Sequence, residues 1–155
     1  KIKEYQKKIY ELTGQPVSDA GAKFSGVMGG ANIKRVLIAE PNSRVLEYLK
    51  EVLEGFGYET AVASNGGKAL EVVRENPPDL LITEITLPDI DGIELLKGLR
   101  KEEKTSGMPV LISTSREEEE VRKLLEKDTG ISGFIIKPFH VKKLLRKIGE
   151  LDLRI

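Results

Sequence analysis

The chain lacks cysteine and tryptophan, and it has no surplus of either charge. Without cysteine it can form no disulfide, no thiolate metal site and no cysteine nucleophile, which fits a reducing compartment. The 25 basic and 25 acidic side chains cancel, so the composition does not favour binding to nucleic acid or to a membrane surface. The longest apolar runs are strand-sized and too short to cross a bilayer. We therefore expect a cytoplasmic protein with neither a nucleic-acid nor a membrane partner.

The 155 residues suffice for one domain, and the pattern of the sequence changes near Asn32. Residues 2–13 place four apolar side chains on one helical stripe, namely Ile2, Tyr5, Ile9 and Leu12. A glycine-rich stretch without a period follows and is typical of a linker. We predict a short N-terminal helix and linker over residues 1–32 and one domain over residues 33–155. The helix would pack on that domain, on a partner chain or on an upstream domain, three alternatives that the sequence leaves open.

From residue 33 onward, apolar runs of strand length alternate with helical stripes. The strand-like runs are Val36–Ala39, Tyr58–Ala63, Leu80–Ile85, Pro109–Ser113 and Gly133–Ile136. The fourth helical stripe opens with the spacing of a capping box, from Ser115 to Glu118. Such alternation predicts a doubly wound α/β domain, in which helices cover both faces of a parallel sheet in three layers. In that architecture functional side chains gather at the carboxyl ends of the strands.

Polar groups end four of the predicted strands: Glu40 with Pro41, Glu84, Thr114, and Lys137 with Pro138. Two carboxylates, a hydroxyl and an ammonium group are thus directed towards one cleft. The glycines of the chain form no phosphate-binding loop. A flavodoxin-like enzyme that binds a nucleotide or a flavin therefore has only the fold class in its favour, and a fold does not establish a function.

The motifs at these strand ends make residues 34 to about 151 resemble the response-regulator receiver family. The most specific matches are Leu87-Pro88-Asp89-Ile90-Asp91-Gly92 after the third strand and Lys137-Pro138-Phe139 after the fifth. The resemblance implies a (βα)5 fold with strand order 2-1-3-4-5. It also implies phosphoryl transfer from a histidine kinase to an Asp that ends the third strand, with Mg²⁺ held by an acidic pair after the first. The family's switch positions correspond to Thr114, Phe134, Lys137 and Pro138, with a cis peptide before the proline.

This chain departs from the family at two of those three acidic positions. The acceptor position holds Glu84, and the acidic pair is Glu40 followed by Pro41. Pro41 supplies no carboxylate, and each Glu is longer than Asp by one C–C bond, roughly 1.5 Å. Mg²⁺ coordination and in-line phosphoryl transfer tolerate little misplacement. We therefore predict a pseudo-receiver that is not an enzyme and has no catalytic residue, no cofactor and only a vestigial metal pocket, with weak Mg²⁺ binding left open.

Glu84 has two interpretations. Its carboxylate would pair with Lys137 and accept a hydrogen bond from Thr114, so that an active-like surface is held; alternatively, it is a relic in a polar cleft. For Phe134, core packing is a simpler interpretation than a role as a switch residue that moves on activation. The predicted function is a bacterial or archaeal receiver domain that acts as a phosphorylation-independent protein-interaction module. The alternative is a working Mg²⁺-dependent phospho-acceptor in a phosphorelay.

The resemblance also implies where a partner binds. In the family, contacts with output partners or with a second copy commonly use the face formed by the fourth helix, the fifth strand and the fifth helix, here residues 116–151. We expect the partner on that face to be another signalling protein or an upstream domain, with a homodimer as a further alternative.

Overall fold

The computed structural model describes residues 32–125 and 130–155. The helix and linker predicted before residue 32 lie outside the described residues. The strands are β1 (Arg35–Ala39), β2 (Glu59–Ala63), β3 (Leu80–Thr83), β4 (Val110–Thr114) and β5 (Gly133–Ile136). The helices are α1 (Ser43–Gly55), α2 (Gly66–Glu75), α3 (Gly92–Lys101), α4 (Glu118–Leu125) and α5 (Val141–Leu153). Within these described ranges, no helix has the length and apolarity needed to span a membrane.

The five strands form one parallel sheet in the order β2-β1-β3-β4-β5. The predicted doubly wound α/β fold and its strand order are thus confirmed. The order reverses at β1, because β2 lies on one side of it and β3 on the other. Ala39 at the end of β1 pairs with Thr83 at the end of β3. The residues that follow these two strands, Glu40 and Glu84, therefore lie side by side at the switch point.

The sheet separates two apolar clusters, because successive side chains of a strand point to opposite faces. On one face Val36 and Ile38 of β1 pack against α1 and α5. On the other face Leu37 and Ala39 pack with side chains of α2, α3 and α4. β3 and β4 are buried along their whole length, as expected of central strands that are covered on both sides.

Several predicted strand ends are wrong by one residue, and two boundaries are wrong by more. β3 ends at Thr83 rather than Ile85, because the backbone turns there and the carbonyl of Ile85 accepts the N–H of Gly92 at 2.6 Å. α4 begins at Glu118 rather than at Ser115, so the expected capping box does not form. The hydroxyl of Thr114 accepts the N–H of Arg116 at 3.3 Å, a local bond of the kind that competes with helix formation.

The described chain enters the domain beside the end of α5. The buried carboxylate of Asp152 accepts the N–H groups of Ile33 at 2.5 Å and Asn32 at 3.2 Å. The side-chain amide of Asn32 in turn donates to the carbonyl oxygen of Asp152 at 3.1 Å. These three bonds fasten the start of β1 to the last helix, at the edge of the sheet opposite the carboxyl ends of the strands.

Candidate functional site

Two buried carboxylates form the centre of the site. Glu40 and Glu84 are 3% and 9% exposed. Both backbones are held by hydrogen bonds to the neighbouring strand: the N–H of Glu40 donates to Ala63 O at 3.0 Å, and the N–H of Glu84 donates to Ala39 O at 3.0 Å. The two side chains therefore start from fixed positions at the carboxyl edge of the sheet.

One lysine joins these two carboxylates. Lys137 follows β5, and its backbone N–H donates to the carbonyl oxygen of Thr114 at 2.7 Å. Its Nζ contacts Glu40 Oε1 and lies 3.3 Å from Glu84 Oε1. The side chain of Lys137 is only 19% exposed, so the triad of Glu40, Glu84 and Lys137 is largely shielded from water. Two carboxylates and one ammonium group leave the triad with one net negative charge.

The remaining oxygens of the triad accept hydrogen bonds from the backbone. Glu40 Oε2 accepts the N–H of Asn42 at 2.9 Å, and Glu84 Oε2 accepts the N–H of Ile85 at 2.6 Å. All four carboxylate oxygens thus have a protein donor. This satisfies the condition under which ionised groups are tolerated in an interior, namely that they are paired and hydrogen-bonded.

The turn after β1 serves to start α1. Pro41 is exposed and has no N–H to donate. Asn42 caps the helix, since its side chain accepts the N–H groups of Arg44 at 3.0 Å and Val45 at 3.2 Å. Glu40 is the only carboxylate that this turn contributes to the cleft.

These residues do not fit a Mg²⁺ ion. The cation between the two carboxylates is the ammonium group of Lys137 itself, and Pro41 adds no ligand. In the part of the chain that the structure describes, no three His, Cys, Asp or Glu side chains are grouped as metal ligands. Mg²⁺ requires near-octahedral oxygen coordination, and the four carboxylate oxygens of Glu40 and Glu84 already accept from Lys137 and the backbone.

Thr114 is buried at the end of β4, but its hydroxyl does not join the triad. Its Oγ1 accepts the N–H of Arg116 at 3.3 Å, and among the described residues no hydrogen bond connects it to Glu84. The expectation that Thr114 donates to Glu84 therefore disagrees with the structure. Glu84 instead has its two carboxylate oxygens bonded to Lys137 Nζ and to the N–H of Ile85.

Arg116 crosses the mouth of the cleft. Its guanidinium group donates to Thr86 Oγ1 at 2.8 Å and to Glu120 Oε1 at 3.4 Å. It therefore links the loop after β3 to the loop after β4 and to the first turn of α4. Neither Arg116 nor Thr86 is predicted from the sequence. The signal that points to them is their position, because each lies two residues beyond a cleft residue, Thr114 and Glu84 respectively.

The motif after β3 has a structural explanation at three positions. The carboxylate of Asp89 accepts the N–H groups of Gly67 at 2.8 Å, Gly66 at 2.7 Å and Ile90 at 2.8 Å. These bonds, with that of Gly67 contributing most, hold the pKa of Asp89 below its usual value. Asp91 caps α3 through the N–H of Ile93 at 2.7 Å.

Gly92, the third of these motif positions, sits directly against the end of β3. A Cβ added there would lie 2.5 Å from the carbonyl oxygen of Glu84 and 3.0 Å from Ile85 Cα. Only glycine allows α3 to start this close to the backbone that carries Glu84.

The remaining predicted site residues belong to β5 and its end. The Lys137–Pro138 peptide is cis. Phe134 is half-buried: it packs against the apolar cluster shared by α2, α3 and α4. The guanidinium carbon of Arg122 lies 5.4 Å from the centroid of its ring, which is within the range of a cation–π interaction. Phe134 is therefore a packing residue on one side and a contact of α4 on the other.

A doubly wound sheet with this motif and with a cis proline after β5 defines a receiver-type domain. The sequence model of the response regulator receiver domain family matches residues 36–149, so the chain belongs to that family. Its members work in two-component signal transduction. It is 34% identical over 115 residues to the DNA-binding response regulator MtrA of Mycobacterium tuberculosis, an alignment that covers 74% of this chain and 49% of MtrA.

Two further relatives match most of their own length. The polar-differentiation response regulator DivK of Brucella anthropi is 32% identical over 119 residues, covering 74% of this chain and 93% of DivK. The crystal structure of a putative response regulator from Chloroflexus aurantiacus superimposes with a TM-score of 0.73 at 32% identity, covering 79% of this chain and 99% of that one. This chain spans about half the length of the MtrA proteins, and what it shares with all three relatives is the receiver domain.

Proposed function

We propose that this receiver domain works as a phosphorylation-independent protein-interaction module of a cytoplasmic signalling protein, and that it is not an enzyme. One observation carries the proposal. The position of the phospho-acceptor holds Glu84, whose carboxylate is ion-paired with Lys137 at 3.3 Å and accepts a backbone hydrogen bond at 2.6 Å. A side chain engaged in this way is poorly placed as a nucleophile for phosphoryl transfer.

The chemistry of phosphoryl transfer supports the same conclusion. The reaction relies on in-line positioning and on cations that neutralise the charge of the transferred group. Here the single cation of the cleft is already shared between Glu40 and Glu84, and Pro41 removes one of the two carboxylates that would hold a metal ion. A phosphoryl group entering this cleft would meet a triad whose net charge is already negative.

The arrangement favours one constant state over a state that mimics phosphorylation. Mimicry would have Glu84 bind both Lys137 and Thr114, and among the described residues Glu84 pairs with Lys137 but has no hydrogen bond to Thr114. We therefore propose a scaffold in which the triad ties the ends of β1, β3 and β5 together without switching.

The partner would bind on the face formed by α4, β5 and α5. β5 is an edge strand of the sheet, and its half-buried Phe134 is covered by Arg122 of α4. The partner on this face would be a signalling protein or another domain, rather than nucleic acid or a membrane.

Incubation with Mg²⁺ and acetyl phosphate, followed by intact-mass measurement, tests the proposal. We expect the mass of the protein to stay unchanged. The matched control is the double variant Pro41→Asp/Glu84→Asp, which restores the acids that the family carries and should gain one phosphoryl group under the same conditions. A gain of one phosphoryl group by the unaltered chain would overturn the proposal.

A further inference from the structure

The outer side of α5 carries a concentration of positive charge. Four cationic side chains, which we call the cationic stripe, occupy its first two turns: Lys142, Lys143, Arg146 and Lys147. Three of the four are exposed and Lys147 is half-exposed. Among the described residues, none of the four makes an ion pair.

The other four helices follow the opposite pattern. Each contains an ion pair between residues three or four positions apart, and the distances are 3.2 Å for Lys50–Glu54 in α1, 3.9 Å for Lys68–Glu71 in α2, 3.6 Å for Lys97–Glu94 in α3 and 2.8 Å for Arg122–Glu118 in α4. The first turn of α5 contains no acidic residue. The cationic stripe is therefore specific to this helix and is not a general property of the surface.

The stripe breaks two local rules of helix stability. Lys142 and Arg146 are like charges at i,i+4, as are Lys143 and Lys147, and such pairs destabilise a helix. Lys142 and Lys143 also lie in the first turn of α5, the positive end of the helix dipole, where anions rather than cations are favoured. Residues that violate local rules without a compensating contact are commonly found at functional sites.

An apolar side chain continues one side of the stripe. Leu153 follows Lys142 and Arg146 at i+11 and i+7, a spacing that places the three on the same flank of the helix. Leu153 is 87% exposed. This flank therefore offers two cations and one apolar contact in a row.

We propose that α5 is the docking surface for an acidic segment of a partner protein, with carboxylates opposite Lys142 and Arg146 and an apolar residue opposite Leu153. The inference rests on the proposed function in one respect, since it names the chemistry of the partner which that function requires. A protein segment fits better than a nucleic acid because the same flank offers the exposed Leu153, and a phosphate backbone has no apolar group to place against it. The neutral balance of the whole chain also argues against a polyanion.

The test is a binding titration with the intact chain. The probe is a fluorescein-labelled helix-forming peptide of about 15 residues, which carries Glu pairs at i,i+4 and one Leu; its counterpart has Gln in place of every Glu. We expect fluorescence anisotropy to report binding of the Glu peptide only. Lys142→Gln/Arg146→Gln should weaken it about fivefold, the effect of losing two exposed charge contacts, and Leu153→Ala should weaken it further.

The matched control is Lys97→Gln/Lys101→Gln on α3. It makes the same change in net charge, at the same i,i+4 spacing, on another exposed helix surface. We expect this control to bind the Glu peptide like the unaltered chain. Equal weakening by the two double variants, or no binding of the Glu peptide at all, would mean that the stripe is a solvated face and would overturn the proposal.

Three further measurements separate other occupants of α5. Tighter binding of duplex DNA than of the peptide, binding to phosphatidylserine vesicles, or a dimer that Lys142→Gln/Arg146→Gln abolishes would each replace the acidic partner with a different one. The phosphodonor experiment stays independent of these results. A chain that gained a phosphoryl group and still bound the peptide would refute phosphorylation independence and retain the docking surface.

Discussion

Lys137 sets the electrostatics of the cleft, because it is the one cation that Glu40 and Glu84 share. Ionised groups lose hydration when they are buried, and they regain stability only through pairing and hydrogen bonds. The triad meets both conditions while all three members are present. Its contribution therefore depends on the lysine more than on either carboxylate.

Replacing Lys137 should expose this dependence. In Lys137→Met two buried carboxylates face each other without a cation, and we expect the free energy of unfolding to fall by about 3 kcal/mol, measured by urea denaturation. Lys101→Met, at an exposed position, is the control and should change little. Adding Glu84→Gln to Lys137→Met should recover part of the loss; no loss in the single variant would show that the triad does not stabilise the fold.

Glu84→Gln alone tests whether the domain keeps one conformational state that does not depend on the charge of Glu84. The amide can still accept the N–H of Ile85, but the charge that pairs with Lys137 is gone. We expect hydrogen exchange over residues 116–125 and 130–136 to match that of the unaltered chain, with Glu40→Gln as the comparison. Faster exchange in α4 after this substitution would indicate that Glu84 holds a signalling surface after all.

The sequence predicts the composition of this cleft better than its hydrogen bonds. Glu40, Glu84 and Lys137 follow parallel strands, and the ends of parallel strands meet at one edge, so their proximity follows from the pattern alone. The direction of the Thr114 hydroxyl depends on the turn at Arg116, which has no periodicity to predict it.

At the scale of elements, the junction between β3 and α3 brings two backbone segments into close contact. The helix starts at Gly92, and a Cβ added to this residue would lie 2.5 Å from the carbonyl oxygen of Glu84. The next glycine of the same helix, Gly98, would place its Cβ in open space. Substitution at Gly92 therefore tests the close approach of the two backbones, whereas substitution at Gly98 tests helix propensity alone.

Alanine at these two glycines should act in opposite directions. Gly92→Ala forces backbone atoms apart, and we expect a loss of about 1–3 kcal/mol in the free energy of unfolding. Gly98→Ala should instead stabilise by about 0.5–1 kcal/mol, the difference in helix propensity. Thermal unfolding followed by circular dichroism measures both, and a Gly92→Ala protein as stable as the original would contradict the close approach.

α5 allows a second prediction about elements. Because Lys142 and Arg146 repel each other, Lys142→Gln/Arg146→Gln should raise stability by about 0.2–0.5 kcal/mol at low salt. The gain should shrink as ionic strength rises, since exposed charges are screened. Unfolding curves at two salt concentrations check this; a loss of stability at low salt would mean that the cations are already compensated within the domain.

Element types were predictable here, whereas their ends were less so. Alternation of buried runs and stripes predicts every described strand and helix, because burial on two faces leaves a clear hydrophobic pattern. The start of α4 was missed because Ser115 and Glu118 have the spacing of a capping box, while the Thr114 hydroxyl captures the intervening N–H. The spacing of residues in the sequence cannot predict that the Thr114 hydroxyl competes for the N–H of Arg116.

At the scale of the whole molecule, a buried tyrosine couples stability to alkaline pH. Tyr58 is 6% exposed, and its hydroxyl has no hydrogen-bond partner among the described residues. Burial, with a smaller contribution from the charge of Asp152, raises the pKa of Tyr58 to about 12. In the unfolded chain the same group titrates near its ordinary pKa, about 10.

The sign of the effect follows from these two pKa values. Below pH 10 the proton stays on in both states, whereas between about pH 10 and 12 the unfolded chain releases it and the folded chain retains it. The free energy of unfolding should therefore fall through this window, by roughly 2 kcal/mol more than in Tyr58→Phe. Urea titrations from pH 9 to 12 of both proteins check this, and parallel pH profiles would contradict it.

The Asp152 bonds also have a mechanical consequence. They hold the first described residues and the last helix against each other, so the two points where tension would enter the domain are adjacent. A pulling force applied there loads those few hydrogen bonds first and peels α5 from β1, one contact after another. The triad at the far edge of the sheet would bear no load until that peeling was complete.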